Sequence, residues 1–473
     1  MAANPPPFSP EDARRESEAI WRPSERRSWT DASGRVHALT LPPGVYPPRE
    51  DTDLLARCLH RLGAGEGKTV FEVGCGSGAL LLQMSLNGWR VRGCDVHPMA
   101  VAVARGHLEE AGRPHEVLEL DAMALDSKRL SDVDLLLWNT PYLPPVAAGE
   151  AHLGPLEEAS LSDPSSNGSA LDLVDHLLTL GWFRQDRALM LLVNEDTWPA
   201  LRSRCTKAGL IASTFDRRRF EEGTSIVVVQ VHAPNTTVQR HATEVESTNT
   251  ALLEDGASVG ERLSTDRQTA GRGRRGASWA SENGDMACSW VVHAGANPPP
   301  AGLLQAACGL AGMEAVQDLL GEDAPPLLLK WPNDLLAEGP DGVGKLAGWL
   351  VEGRQQGGET TVVAGMGLNL TRGPASVNGT PRTFLRSGEA PAFMDAVGLR
   401  LASRLEDLQH EERRAMLVDD AVAAWRSTSR RLGMRDMDGN ALVPTDMDAH
   451  GRLMVEGFEK VVDGLDQVSW DAW

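Results

Sequence analysis

The stretch Gln268-Thr269-Ala270-Gly271-Arg272-Gly273-Arg274-Arg275-Gly276 packs three arginines and three glycines into its last six positions, in a chain whose formal charge is −20. A packed core has no use for such a run. Glycine lets a backbone bend back or approach a ligand closely. Arginine offers forked donors that match phosphate and carboxylate. The composition therefore predicts a loop that closes over an anion. An Arg-Gly loop taken alone is as often a flexible or RNA-binding segment.

A second set of residues sits in the first half. Glu72-Val73-Gly74-Cys75-Gly76-Ser77-Gly78, Asp95, Asp121-Ala122 and Asn139-Thr140-Pro141-Tyr142 each follow or end an apolar run. Open α/β sheets bind ligands at the carboxyl ends of their strands. The glycines alone fit a tight strand–helix turn. With Asp95 about 20 residues on, they also fit a nicotinamide dinucleotide turn. The Asn-x-Pro-Tyr step decides against that cofactor. Its amide and the neighbouring carbonyl can hold a planar NH₂ group, and the tyrosine can stack on that group's plane. Methyl transfer to an amide or exocyclic amine needs such a nitrogen, fixed in line with a sulfonium methyl.

Two phosphate-loop look-alikes are set aside. Gly339-Pro340-Asp341-Gly342-Val343-Gly344-Lys345 is followed by Leu346, so the metal-binding hydroxyl is missing, and Gly67-Lys68-Thr69 has Leu62 where the first glycine belongs.

Elements must position these groups. At 473 residues, 41% hydrophobic and 24% charged, the chain is an ordinary globular protein of two or three domains. Its acidity argues against a general nucleic-acid or anionic-membrane coat. The six cysteines form no C-x-x-C pair. They read as buried thiols of a reducing compartment, and no metal-ligating cluster is expected. There is no signal peptide and no apolar run of membrane-spanning length. A cytoplasmic protein is expected.

Residues 1–40 read as a polar, proline-bearing arm. Strands alternate with helices from Asp51 to His232, which predicts a parallel, doubly wound α/β sheet over residues 41–236. Ala233-Pro234-Asn235-Thr236-Thr237 is the boundary. A second unit covers 237–432. It has a helix signal at Ser247, which is also a common N-cap, an apolar helix from Ala301 to Leu320, and amphipathic helices over Ala390–Leu408 and Glu411–Arg426. Residues 433–473 show short strands separated by Asp-Gly and His-Gly turns, typical of a small barrel.

Val45-Tyr46-Pro47-Pro48-Arg49-Glu50-Asp51-Thr52, then EVGCGSG, then NTPYLPP, resemble the HemK-type glutamine N5-methyltransferases over residues 40–232. The likeness is to the archaeal and eukaryotic branch that acts on class I release factors. It implies a Rossmann-like class I fold, with S-adenosylmethionine contacts at Thr52, Glu72, Gly74, Gly76, Asp95, Asp121, Ala122 and Asn139. It implies a substrate amide held by Asn139, Pro141 and Tyr142, with Asn139 and Tyr142 as catalytic residues. Thr140 stands where that family has proline, so a φ-fixing ring is absent. Methylation of a DNA amine, or a domain that only binds or senses S-adenosylmethionine, are the alternative readings.

The order Glu246-Ser247-Thr248-Asn249, arginine loop, Trp279, Lys330-Trp331-Pro332-Asn333-Asp334, Lys345-Leu346-Ala347-Gly348, Gly365-Met366-Gly367-Leu368-Asn369 resembles the biotin–protein ligases from about His241 to the end. Lipoate ligases share the fold, and the arginine loop and KWPND favour biotin. The resemblance implies an α+β catalytic domain and an SH3-like C-terminal barrel. It implies biotin, ATP and Mg²⁺. Biotinyl-5′-AMP would form and pass its acyl group to a lysine of a biotin carboxyl carrier protein domain. Ser247, Thr248, Asn249 and Gln268 suit biotin's neutral ring. Gly271 and Gly273 belong to the closing loop. Arg272, Arg274 and Lys345 suit the carboxylate and α-phosphate, with Arg274 and Lys345 as catalytic residues. Asn333 and Asp334 are candidates for the nucleotide side. Lys330 could contact phosphate or polarise the acyl carbonyl. No helix-turn-helix is seen, so operator DNA binding is not expected. The resemblance allows a homodimer without fixing one.

Overall fold

A computed structural model describes residues 23–142, 163, 165, 168–220, 225–273, 279, 282–339, 342–374, 376–377, 380–456, 461–462 and 465–471. Two compact units divide between Ala233 and Pro234.

The first unit opens with a hairpin, β1 (Glu25–Thr30) and β2 (Val36–Leu41). This corrects the expected arm. The alternation of β2 puts His37, Leu39 and Leu41 inward, and Leu39 and Leu41 join Trp29 in the core. Polar composition hid a two-residue period only six residues long. The body alternates α1 (Glu50–Arg61), β3 (Thr69–Val73), α2 (Ala79–Leu86), β4 (Arg90–Asp95), α3 (Pro98–Glu110), β5 (His115–Glu119), β6 (Leu135–Asn139), α4 (Ser169–Thr179), β7 (Ala188–Asn194), α5 (Trp198–Lys207), β8 (Ile211–Arg219) and β9 (Ser225–His232). Its seven-stranded sheet runs β5-β4-β3-β6-β7-β9-β8. Strands β5 to β7 are parallel, and β9 enters antiparallel to β7. All five residues of β3 are buried, as a central strand covered on both faces requires. The carboxyl ends of β3, β4 and β6 therefore open on one side, at the point where strand order reverses.

In the second unit, β10 (Gln239–Val245), β11 (Arg262–Gln268), β12 (Met286–Gly295), β16 (Glu359–Leu368), β15 (Gly342–Gln356), β14 (Asp334–Gly339) and β13 (Leu327–Lys330) form one mixed sheet in that spatial order. Helix α6 (Thr248–Glu254) follows its Ser247 cap, whose hydroxyl accepts from Thr250 N. The 20-residue α7 (Ala301–Leu320) lies against the sheet. Gly312 allows the approach, since a Cβ there would stand 3.0 Å from Trp349 Nε1 and 3.1 Å from Met366 Cε. Helices α8 (Ala390–Asp407) and α9 (Glu411–Leu432) complete the layer. Helix α9 continues to Leu432, past the expected end at Arg426. In the second of the false phosphate-loop stretches along the chain, Gly339 ends β14 and Gly342 to Lys345 open β15.

Beyond Gly433 the described residues form a two-stranded and a three-stranded sheet. Leu442, Leu453, Val455 and Trp470 share the hydrophobic core of α7 to α9.

Candidate active sites

In the first unit, a cavity of about 690 Å³ opens at the strand ends and is lined by all the residues expected to hold a methyl donor or its acceptor. These are Thr52, Glu72, Gly74, Gly76, Asp95, Asp121, Ala122 and Asn139, with Pro141 and Tyr142. Gly74 and Gly76 have φ of 62° and 49°, where a side chain would be strained. A Cβ at Gly74 would also stand 3.1 Å from Trp138 Nε1, a tight contact from which the indole would have to withdraw.

Asp95 accepts from Gly76 N at 2.9 Å and from His97 N at 2.9 Å, which ties the first turn to the second. Asp121 accepts from Met123 N at 2.7 Å. Glu72 is buried, and its Oε2 has no hydrogen-bond partner among the described residues. Burial and then the charge of Asp95 push its carboxyl well above the usual range, against a hydrogen bond from the backbone of Leu81. Burial and then Asp51 also raise the Tyr142 hydroxyl. Thr140 replaces the proline's restraint with two bonds to one carbonyl. Its N–H donates to Leu192 O at 3.3 Å and its hydroxyl donates to the same oxygen at 2.6 Å.

Sequence reasoning missed Tyr46 and Asp51, which also line this cavity. Asn139 Nδ2 donates to Asp51 Oδ2 at 2.9 Å. The signal was present, since both residues belong to the VYPPREDT block.

The second unit holds a cavity of about 500 Å³. Ser247, Thr248, Asn249, Gln268, Arg272, Gly273, Lys330, Asn333, Asp334 and Lys345 line it together. Arg274 lies outside the described residues. Gly271 stands behind the wall: its carbonyl accepts from Trp279 N at 2.9 Å, and a Cβ on it would come within 2.8 Å of Trp279 O.

A chain of contacts orders the cavity. Ser289 Oγ lies 2.6 Å from both Thr248 Oγ1 and Asn249 Oδ1; its single proton goes to the Asn249 amide oxygen, and it accepts from the Thr248 hydroxyl. Gln268 Oε1 accepts from Thr248 N at 3.0 Å. The Lys345 ammonium lies 5.5 Å from the Trp279 ring centre and 2.6 Å from Asp334 Oδ1. The Lys330 ammonium lies 5.4 Å from the centre of the Trp470 ring. Burial lowers the Lys330 pKa, with Lys345 adding to the effect and Asp334 opposing it. One end is thus neutral and polar, and the other is cationic.

Several predicted residues are anchored rather than free. Asn249 Nδ2 donates to Leu350 O at 3.1 Å and to Glu352 Oε2 at 2.8 Å. Asn333 Nδ2 donates to Trp349 O. Arg272 donates to Thr250 Oγ1 at 2.6 Å and lies 3.5 Å from Glu352. Arg382 was missed: it lines the cavity and forms a buried pair with Asp285 at 2.7 Å.

No group of three or more His, Cys, Asp or Glu among the described residues could hold a metal ion, and no described helix is long and apolar enough to cross a membrane. All six cysteines are buried, and none is in a disulfide.

The two units define two protein classes. The profile of the Biotin/lipoate A/B protein ligase family matches residues 243–369, and a methyltransferase-domain profile matches residues 70–148. The biotin–[acetyl-CoA-carboxylase] ligase of Mycobacterium tuberculosis is 35% identical over 220 residues, which is 44% of this chain and 80% of that protein. The chain belongs to the biotin–protein ligase family, and it carries a methyltransferase domain ahead of the ligase domain. On the methyltransferase side, the release factor glutamine methyltransferase of Moorella thermoacetica is 34% identical over 108 residues, 22% of this chain and 38% of that protein. A ubiquinone biosynthesis O-methyltransferase of Nitrosomonas europaea is 33% identical over 89 residues, 18% of this chain and 38% of that protein. The chain thus spans little over a third of the length of either methyltransferase.

Proposed function

We propose that the second unit activates biotin with ATP and transfers it to a lysine of a biotin carboxyl carrier domain. The observation that carries this is the polarity of one cavity, neutral at Thr248 and Gln268 and cationic at Lys345 and Lys330. Biotin's ureido ring suits the neutral end and its carboxylate reaches Lys345. A carboxylate oxygen attacks the α-phosphorus of ATP, and pyrophosphate leaves with the bridging electron pair. Lys345 and Arg272 offset charge as it moves between carboxylate and phosphate. The acceptor amine then attacks the acyl carbon, AMP departs, and the amine loses a proton. Mg²⁺ would accompany the ATP phosphates, with Asn333 and Asp334 as the residues on the nucleotide side of the lining. Residues 433–473 fit an SH3-like module that closes the cationic end through Trp470. Biotin-dependent exchange of label between pyrophosphate and ATP tests the reading, and no exchange overturns it.

We further infer that the first unit is a methyltransferase for the glutamine amide of a class I release factor. Its glycine cradle and the unpartnered oxygens of Glu72 and Asn139 fit S-adenosylmethionine and a bound amide. When bound, that cofactor supplies an electrophilic methyl group. Asp95 suits its ribose, and Asp121-Ala122 its base. Asn139, Pro141 and Tyr142 hold the acceptor nitrogen. Methyl transfer to a purified class I release factor is the test. Cofactor binding without transfer favours a sensor or another acceptor, including an oxygen nucleophile.

A further inference from the structure

The carboxamide of Asn139 is held by one group. Its Nδ2 donates to Asp51 Oδ2 at 2.9 Å, while its Oδ1 is buried with no partner among the described residues. Asp51 is itself 2% exposed. Its Oδ1 accepts from Thr52 N at 2.7 Å and from the Thr52 hydroxyl at 3.3 Å. Both residues stand in the wall of the same cavity.

The two ends of an amide differ only in what they hydrogen-bond. A carboxylate accepts and does not donate. Turning Asn139 over would set its oxygen against Asp51 and leave an NH₂ group without an acceptor. Each fault leaves a buried polar group without its partner, which is costly. The Asp51 contact therefore decides which atom Asn139 shows to the acceptor. An oxygen left bare in a buried wall is costly in the same way until a ligand N–H meets it.

We propose that Asp51 is a positioning residue that locks the Asn139 carboxamide with its oxygen toward the methyl acceptor, so that the site selects a nitrogen that still bears a hydrogen. The inference rests on the methyltransferase reading of the first unit. In the transfer, the acceptor nitrogen forms a bond to the methyl carbon. The sulfur–methyl bond breaks and its electron pair stays on sulfur. One N–H proton is lost, and the second N–H stays on Asn139 Oδ1. A nitrogen misplaced by about 1 Å loses roughly 100-fold in rate.

The test is a swap of the pair in the full-length chain, read as labelled methyl transfer from S-adenosylmethionine to a purified class I release factor. Cofactor affinity is measured by calorimetry. In D51N the amide oxygen stays on Thr52 N, so its NH₂ faces Asn139 and turns the Asn139 oxygen away from the acceptor. N139D sets two carboxylates against each other. In D51N/N139D, the amide now at position 51 donates to one oxygen of the carboxylate now at position 139. The other oxygen is left facing the acceptor, which restores the original pattern. Each single variant is expected to lose about 100-fold in kcat. The D51N cofactor Kd should stay within about threefold of wild type, because the amide oxygen at position 51 still accepts from Thr52 N. The double variant is expected within about tenfold of wild type. A merely structural role for Asp51 would not be rescued by a change at 139. D51N at the wild-type rate, or a double variant no faster than either single, overturns the inference. A silent wild-type chain overturns the underlying reading and this inference with it. That outcome is distinct, because the wild type itself then fails.

Discussion

Lys345 Nζ lies 2.6 Å from Asp334 Oδ1, and the two side chains come from adjacent antiparallel strands. Register sets the contact: Gly348 pairs with Asp334, and a Cβ at Gly348 would stand 3.0 Å from Lys345 Nζ. The carboxylate aims an ammonium that would otherwise sweep a wide arc. K345A should reduce biotin-dependent pyrophosphate exchange by about 10²–10³-fold, the usual loss for removing a preorganised charge at a reacting centre. It also leaves Asp334 unpaired beside anionic substrates. K345A/D334N should therefore recover about tenfold over K345A, because part of the single-variant loss is repulsion. Equal rates for the two variants would show that Asp334 acts only as a strut.

Glycines of β16 leave room for the biotin wall. A Cβ at Gly365 would collide with the carboxamide oxygen of Asn249, and one at Gly367 with the ring of Trp279. G365A and G367A should each raise the biotin Kd at least about fivefold, since overpacking costs roughly 1–3 kcal/mol. Gly358 meets nothing within 4 Å, so G358A is the control and should bind biotin as wild type does. Calorimetric titration of biotin into each full-length variant separates these outcomes.

Much of this was legible beforehand, for a physical reason. Buried parallel strands such as Thr69–Val73 are short apolar runs that end at ligand-binding turns, so a one-dimensional pattern locates both strand and site. Lys330, Asn333 and Asp334 were found because a turn holds them within five residues. What stayed hidden depends on contacts remote in sequence. Arg404 meets Glu314, Asp407 and Asp420 on three helices, and no helical period reports that. Asp51 and Asn139 are 88 residues apart. Strand β11 was missed because only Leu263, Ser264 and Thr265 of its seven residues are buried, too little alternation to register.

The substitution at the methyltransferase-like tetrapeptide has its own compensation. Thr140 is 3% exposed and its hydroxyl donates to Leu192 O at 2.6 Å. T140V keeps the shape and the N–H but loses that bond. It should destabilise the first unit by about 1 kcal/mol, the usual net value of one buried hydrogen bond. Methyl transfer should slow by less than about tenfold, because the Asn139 oxygen is set by Asp51 and not by Thr140. A loss of 100-fold or more in T140V would mean that the loop path, rather than the amide orientation, controls the reaction.

The buried carboxyl of Glu72 predicts a pH dependence of stability. Burial, then Asp95, raises its pKa well above the usual value in the folded chain, whereas an unfolded glutamate titrates near about 4.3. Between those two values the folded state binds the proton and the unfolded state does not. Stability therefore falls as pH rises through that window, following the sign of the proton-binding difference. A protonated carboxyl offers one donor and one acceptor, as a glutamine amide does, so E72Q keeps the neutral form without titrating. The unfolding transition of the first unit should be less sensitive to pH in E72Q than in wild type. The gap between them should widen as pH rises above the unfolded value, with E72Q the more stable. Parallel pH curves for the two proteins in scanning calorimetry would mean that Glu72 is ionised in the folded chain and that its unpartnered oxygen is met by solvent.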